Sequence, residues 1–377
     1  MVSSPLFYIF TLALIATSFA FLEDRTKHKV FKYIPVVVMI YAFSMFLATV
    51  GFFEKNSEIT DIYKTTKKNL LPAMLFLMLL QIDFRHFFRL GRSLIIAYVL
   101  AVLSLAFGFI AVSVVFNFNA DMASAFGALA GSWTGGTANM VAVGSALEVS
   151  DEAFGYALIV DSVNYTVWVM LLLFLVPFAT YFNRFTKSDE VMANIGDIAC
   201  ACNTGAKRYW LLVALSVVVA LLVNAIATLD FKILSYTTTT VVLATLLGVL
   251  GSFTKLKTIN GSSEVATTML YILIALIGSR AVIDNFNDIG LYVFAGFIIL
   301  VIHAFIMVVG AKIFKLDLFS IAVASLSNIG GVASAPILAA TYNKALVSVG
   351  VLMAIMGYLI GTFAGLAIGG ILMEFVN

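Results

Sequence analysis

The strongest constraint on the fold is a short polar stretch set between long apolar runs. Residues 131–139 read Gly-Ser-Trp-Thr-Gly-Gly-Thr-Ala-Asn. Adjacent glycines and clustered hydroxyls do not suit an uninterrupted spanning helix. A second such stretch, 326–334, reads Leu-Ser-Asn-Ile-Gly-Gly-Val-Ala-Ser. At an offset of 195 residues, Ser132 aligns with Ser327, Gly135-Gly136 with Gly330-Gly331, and Ala138 with Ala333. Paired glycine breaks in matching positions of two halves mark the binding region of a membrane transporter.

Composition fixes the setting of these breaks. The chain is 62% hydrophobic and 11% charged, with mean hydropathy +1.07, which places it in the lipid bilayer. Its 377 residues hold about a dozen apolar segments and leave no room for a soluble domain. The net charge of +2 comes without a basic block, so nucleic acid is not an expected partner. Cys200 and Cys202 share one polar loop and read as reduced bystanders, since a lone Cys-x-Cys pair is a weak metal signal.

Apolar segments fall at 6–22, 33–53, 70–81, 93–116 and 153–181, then again at 209–229, 236–253, 265–279, 289–313 and 345–375. Residues 54–69 read as a polar loop. The first segment carries its basic residues after it, so it is expected to stay as a helix and not be cleaved as a leader. The Gly-Gly segments, 120–149 and 317–343, each precede the last helix of a half. The same offset sets Leu70 against Val265 and Arg85 against Arg280. A steady offset over many elements predicts two repeats, 1–186 and 208–377, joined by a linker at 187–207.

Charge decides whether the Gly-Gly segments cross the membrane or dip in and return. Cytoplasmic loops carry the excess Lys and Arg. If both segments cross, the two faces collect 10 and 12 basic residues, which is no bias. If both return to their own side, the split is 16 against 6. The predicted fold is therefore an all-α polytopic membrane protein, an inverted repeat of five transmembrane helices plus one re-entrant hairpin per half. Both termini face outward and the linker is cytoplasmic. Hairpin arms of about 10–13 residues would reach the midplane of a ~30 Å hydrocarbon core without traversing it.

This arrangement resembles the sodium–citrate (2-hydroxycarboxylate) and sodium–glutamate symporters. Those families carry Gly-Gly-x-Gly at the hairpin tips, where this chain has Ala138 and Ala333 in the last position. Residues 131–144 and 325–336 also resemble a bacterial and chloroplast family of multi-spanning proteins. That family is a domain of unknown function grouped with cation:proton antiporters and anion transporters. The resemblance implies a transporter of the bacterial cytoplasmic (inner) membrane and names no substrate.

The tip residues that offer oxygens or backbone access to a solute or ion are Ser132, Thr134, Gly135, Gly136, Thr137, Asn139, Ser327, Asn328, Gly330, Gly331 and Ser334. Carbonyls freed by a glycine break suit Na⁺, and short helix N-termini suit an anionic group. The bland account is that small residues only allow close helix packing. Asp161 lies about ten residues into the helix after the first hairpin, with Asn164 three positions on, so the two can share a face. An intramembrane acid is costly unless paired or wet, which marks Asp161 and Asn164 as a candidate Na⁺ or H⁺ coupling site. Position 356, the counterpart of Asp161, is Met. His303 reads better as a packing partner, Arg85 and Arg280 as snorkelling helix ends, and Trp133 as either a gate or core.

Three function classes remain: a secondary transporter, most simply a sodium-coupled symporter of a small organic solute; a cation/proton antiporter; and an intramembrane enzyme. The enzyme is the weakest, for the three histidines are scattered and no Gly-x-Gly-Asp, His-Glu-x-x-His or phosphate-loop motif occurs. An antiporter needs closely spaced carboxylates near the midplane, and only Asp161 is clearly deep. No cofactor is expected beyond a coupling ion. The lipid bilayer and a small solute are the expected partners, with a homodimer by analogy to transporters of this design. No Lys or Arg falls within either hairpin, which argues mildly against a polycarboxylate.

Overall fold

The computed structural model of the chain describes residues 2–26, 35–54, 56–80, 90–188, 206–229, 235–259, 261–281, 289–343 and 346–376. Among them the regular structure is helical, apart from one isolated bridge between Val2 and Phe53. In chain order the helices are α1 (Pro5–Thr26), α2 (Val36–Thr49), α3 (Ser57–Leu80), α4 (Gly91–Val115), α5 (Ala120–Gly135), α6 (Thr137–Ala146), α7 (Asp151–Leu175) and α8 (Ala179–Thr186). They continue as α9 (Ala206–Ala227), α10 (Tyr236–Ser252), α11 (Ser262–Gly278), α12 (Ile289–Phe314), α13 (Leu318–Ile329), α14 (Gly331–Tyr342) and α15 (Val347–Glu374). Among the described residues six stretches are long and apolar enough to cross a membrane: α1, α4, α7 running on into α8, α9 from Arg208 onward, α12 and α15. Large apolar side chains such as Leu103, Phe107, Phe174, Leu221 and Phe305 are exposed, as lipid-facing positions require.

The chain forms two compact units, and neither is a half of the sequence. The first unit takes residues 1–82, 150–162 and 201–287, hence α1–α3, the start of α7, and α9–α11. The second takes 83–149, 163–200 and 288–377, hence α4–α6, the rest of α7 with α8, and α12–α15. Each unit therefore draws helices from both halves of the sequence.

In the first unit the apolar end of α3, from Leu71 to Leu80, is buried among α9, α10 and α11. Here the structure corrects the sequence reading. Residues 54–69 are not a loop, because α3 begins at Ser57. Asn56 caps it, its Oδ1 accepting from the Ile59 amide at 2.8 Å. Ile59 and Tyr63 form a buried stripe at helical spacing that the surrounding charges conceal from a composition reading. Lys67 lies over the Tyr63 ring and Lys68 over the Tyr236 ring, at 5.8 and 4.8 Å from the centroids. A second correction concerns the predicted continuous helix 153–181. It breaks into a 3₁₀ turn at Val176–Phe178, where Pro177 has no N–H for the α-helical ladder.

In the second unit both Gly-Gly segments are helical hairpins. A Cβ on Gly131 would lie 2.9 Å from Val143 Cγ2, and one on Gly127 would lie 2.8 Å from Leu147. Those pairings are antiparallel about Gly136, so α6 doubles back along α5. Gly136 has φ +89°, a conformation that favours glycine, and a single such residue makes the turn. In the second hairpin Phe319 stacks edge-on with Tyr342 at 5.3 Å, which places the reversal at Gly330–Gly331. Gly331 has φ +60°. Each hairpin enters on a side-chain cap: Asn119 accepts from the Met122 amide, and Asp317 from both the amide and hydroxyl of Ser320, all at 2.8 Å.

Candidate functional site

The two hairpins share one support, the glycine-rich helix α15. Along α5, Gly127, Gly131 and Gly135 recur every four residues, and along α15 so do Gly357, Gly361, Gly365 and Gly369. These rows face one another antiparallel. A Cβ on Gly361 would lie 2.5 Å from Gly135 Cα, one on Gly365 would lie 2.7 Å from Gly131 Cα, and one on Gly127 would lie 3.3 Å from Gly369 Cα. Such backbone-to-backbone contact is the small-residue packing known from membrane helices. The second hairpin uses the other end of α15, where a Cβ on Gly350 would lie 2.7 Å from the Ala335 carbonyl oxygen.

Gly357 is where the two tips come together. A Cβ there would stand 3.2 Å from Gly135 Cα, 3.4 Å from the Thr134 carbonyl oxygen, and 3.4 Å from the Ser327 carbonyl oxygen. The first two atoms belong to the end of α5 and the third to the end of α13. Thr134, Gly135, Asn139 and Ser327 of the tip residues singled out from the sequence therefore meet at Gly357, and most of the tip residues are buried. Gly136 and Thr137 alone in the first tip are half-buried.

The chemistry of the tips differs. At the first, the Thr134 hydroxyl donates to the Ala130 carbonyl at 2.7 Å and reaches the Gly361 carbonyl at 3.3 Å. The Asn139 amide donates to the carbonyls of Gly135 and Gly357, both at 3.0 Å. The Asn139 carbonyl accepts from the Thr362 hydroxyl at 2.8 Å. These groups are spent on the protein itself. At the second tip the Asn328 amide donates to the Ala324 carbonyl at 2.9 Å, but Asn328 Oδ1, Ser327 Oγ and Ser334 Oγ are buried with no hydrogen-bond partner among the described residues. Ser334 Oγ lies over Gly330, where a Cβ would come within 2.1 Å of it and within 2.6 Å of the Tyr165 ring.

The first arm of the second hairpin is held by a directional hydrogen-bond chain. Ser104 spends its proton on the Ala101 carbonyl at 2.8 Å, so its oxygen accepts from His303 Nδ1 at 2.6 Å. With the imidazole proton on Nδ1, Nε2 accepts the Ser325 hydroxyl at 2.8 Å, and Ser325 accepts from Trp168 Nε1 at 2.9 Å. Every member is satisfied, which accounts for a buried His303 without a catalytic role. Beside this chain lies a cleft of about 330 Å³, lined by Trp168, Leu172, Phe178, Met307, Ile321 and other apolar residues.

Other sequence candidates fall as follows. Trp133 is fully buried against Phe109, with ring centroids 5.6 Å apart, so it belongs to the core. Asn164 is buried on α7 and donates to the Val293 carbonyl at 3.2 Å. Asp161 is half-buried on α7, within the first unit. Arg280 donates to the Thr60 hydroxyl at 3.2 Å and covers the Tyr63 ring at 5.6 Å. Tyr63 in turn donates to Asp151 Oδ1 at 2.8 Å, and Tyr41 to the Asp151 carbonyl at 2.6 Å, a cluster that sequence reasoning missed. Arg85, Cys200 and Cys202 lie outside the described residues. Sequence reasoning also passed over α15, although its four-residue glycine spacing is legible.

Comparison with known proteins places the chain. The sequence model of the family described as "Protein of unknown function (DUF819)" matches residues 9–375, and the chain belongs to that family. It is similar to the "Uncharacterized membrane protein YjcL" of Bacillus subtilis (strain 168), with 24% identity over 375 residues and 90% of each chain covered. The chain is a polytopic helical membrane protein.

Proposed function

We propose that this member of the DUF819 family is a secondary active transporter, a sodium-coupled symporter of a small organic solute. The observation that carries the reading is the convergence of two helical hairpin tips on Gly357. Broken helices meeting near the midplane give a solute polar backbone groups that continuous helices withhold. Moving the surroundings of such a site opens it to one face at a time.

In this reading α1–α4, α7, α9–α12 and α15 cross the membrane, and α5–α6 and α13–α14 are re-entrant from opposite sides. The repeats 1–186 and 208–377 are inverted, both termini face outward, and the protein sits in the bacterial cytoplasmic membrane as a homodimer. The packing within the first unit supports the duplication. Helix α3 packs on α9 and α10, and its counterpart α11 packs on α1 and α2. The resemblance to sodium–citrate and sodium–glutamate symporters, within the antiporter and anion-transporter grouping, points the same way. The reading involves no catalysis and no cofactor. Asp161, with Asn164, is the candidate group through which an ion gradient acts on the solute site.

The test is uptake into proteoliposomes under separately imposed Na⁺ and H⁺ gradients. Solutes come from a thermal-shift screen in Na⁺ against K⁺ buffer, since a ligand of the folded state raises its apparent stability. Accumulation driven by inward Na⁺ and lost in Asp161→Asn is the expected result. Accumulation of no solute under either gradient would defeat the reading. Topology is checked separately: a cysteine placed at Ser3 should label from outside and Cys200 should not.

A further inference from the structure

We infer that, of the two hairpin tips, only the second contributes oxygens to the coupling cation. Ser327 Oγ, Asn328 Oδ1 and Ser334 Oγ contribute to a Na⁺ site, while the first tip is a structural clasp. This rests on the transport reading above and assigns its ion to one of two formally equivalent tips.

Ser113, Thr134, Ser216, Thr245, Ser252 and Ser279 each donate to a carbonyl three or four residues earlier in their own helix. That bond is always within reach of a helical serine or threonine. Ser327 and Ser334 are 0% and 4% exposed and do not make it. Asn328, also 0% exposed, uses its amide and leaves its oxygen unpaired. Among the described residues seven buried side-chain polar atoms lack a partner, and three of them fall within residues 327–334. A buried polar group without a partner is destabilising, so three at one helix break call for a ligand.

The ligand's chemistry follows from the atoms. Each side chain can present oxygen and none carries charge, which suits a hard cation of low charge. A divalent ion would ask for carboxylates. A proton has nowhere to reside on Ser or Asn. The backbone adds to the preference: α13 ends here, so its last carbonyls have no helical partner and its dipole is negative at this end. The Ser327 carbonyl is one of these, and it faces Gly357. At the first tip Thr134 and Asn139 already have protein partners, and Gly135 and Gly361 leave no room between the backbones. Sodium at the second tip would also explain Gly330: any side chain there would displace Ser334 Oγ.

The experiment measures ²²Na⁺ binding to the purified full chain, competed by K⁺ and Li⁺. Ser327→Ala, Asn328→Ala and Ser334→Ala are compared with Asn139→Ala at the first tip. Losing one oxygen in contact with a charge should weaken Na⁺ binding by roughly tenfold in each second-tip variant. Thermal stability is read alongside, in K⁺ buffer. The two serine variants should be as stable as the parent or more so, because each removes an unpaired buried hydroxyl. Asn139→Ala should be less stable, yet any folded fraction should bind Na⁺ with parental affinity. Unchanged Na⁺ affinity in the second-tip variants overturns the inference and leaves the transport reading standing. So does destabilisation of the serine variants in K⁺, which would mean the hydroxyls serve a bound water or the protein. A parent that binds no Na⁺ overturns the inference and the sodium-coupled form of the reading, while proton-driven uptake would still identify a transporter.

Discussion

The two hairpins are the same device executed in different materials. Both turn back at a glycine pair, both enter on a capped helix, and both lean on α15. The first is held by backbone against backbone, with Gly135 and Gly131 lodged on Gly361 and Gly365. Shifting those α15 positions by the repeat offset leads to Thr166 and Met170 on α7, so the second hairpin has no glycine row to match. Besides its contact with α15, it is tied to α7 by side chains, through Trp168 on Ser325 and Tyr165 on Gly330, beside an open cleft. The first tip thus spends its polar groups on the protein, while the second keeps three buried side-chain oxygens without a partner among the described residues.

The largest expected effect is at the clasp. In Gly361→Ala the new methyl meets Gly135 Cα, which is backbone and cannot swing away, so α5 and α15 must separate. Overpacking of that kind should cost about 3 kcal/mol, read as a lowered thermal midpoint in detergent. Asn139→Ala should come next, at about 2 kcal/mol, because it strands the Gly135 carbonyl at the end of α5 and the Thr362 hydroxyl inside the protein. Gly331→Ala should cost about 1 kcal/mol, since a Cβ there finds open space and only the left-handed φ is penalised. It should nonetheless impair transport more than stability. Trp168→Phe removes a single hydrogen bond to Ser325 and should cost about 1 kcal/mol or less. Should Gly331→Ala destabilise as much as Gly361→Ala, the contrast between the hairpins is lost.

Much of this was legible in the sequence, for reasons that differ by element. The hairpin arms were readable because a glycine pair inside an apolar run has few other uses, and α5, α6, α13 and α14 fall within the expected bounds. Helix α3 was misread as a loop over 54–69 because Lys64, Lys67 and Lys68 mask a stripe of two residues, Ile59 and Tyr63, that tertiary contacts bury. The Pro177 break went unread because hydropathy continues unchanged across it. Spacing alone grouped Thr134 and Asn139 with Ser327, Asn328 and Ser334. Which oxygens are already satisfied depends on partners more than 200 residues away in the first tip, such as Gly357 and Thr362, and no local pattern carries that. The α15 glycine row was visible, but its meaning as a seat for the first hairpin required the opposing row on α5.

The division of labour between the hairpins can be measured by hydrogen–deuterium exchange of the full chain, in K⁺ and then in Na⁺. Local exchange reports the opening of each element separately. Residues 318–342 should exchange faster than 120–146 in K⁺, and should slow when Na⁺ is added. Residues 120–146 should be slow in both buffers, held by the α15 glycine row. Equal protection of the two hairpins in K⁺, or a Na⁺ response confined to 120–146, would contradict the assignment of clasp and ion site.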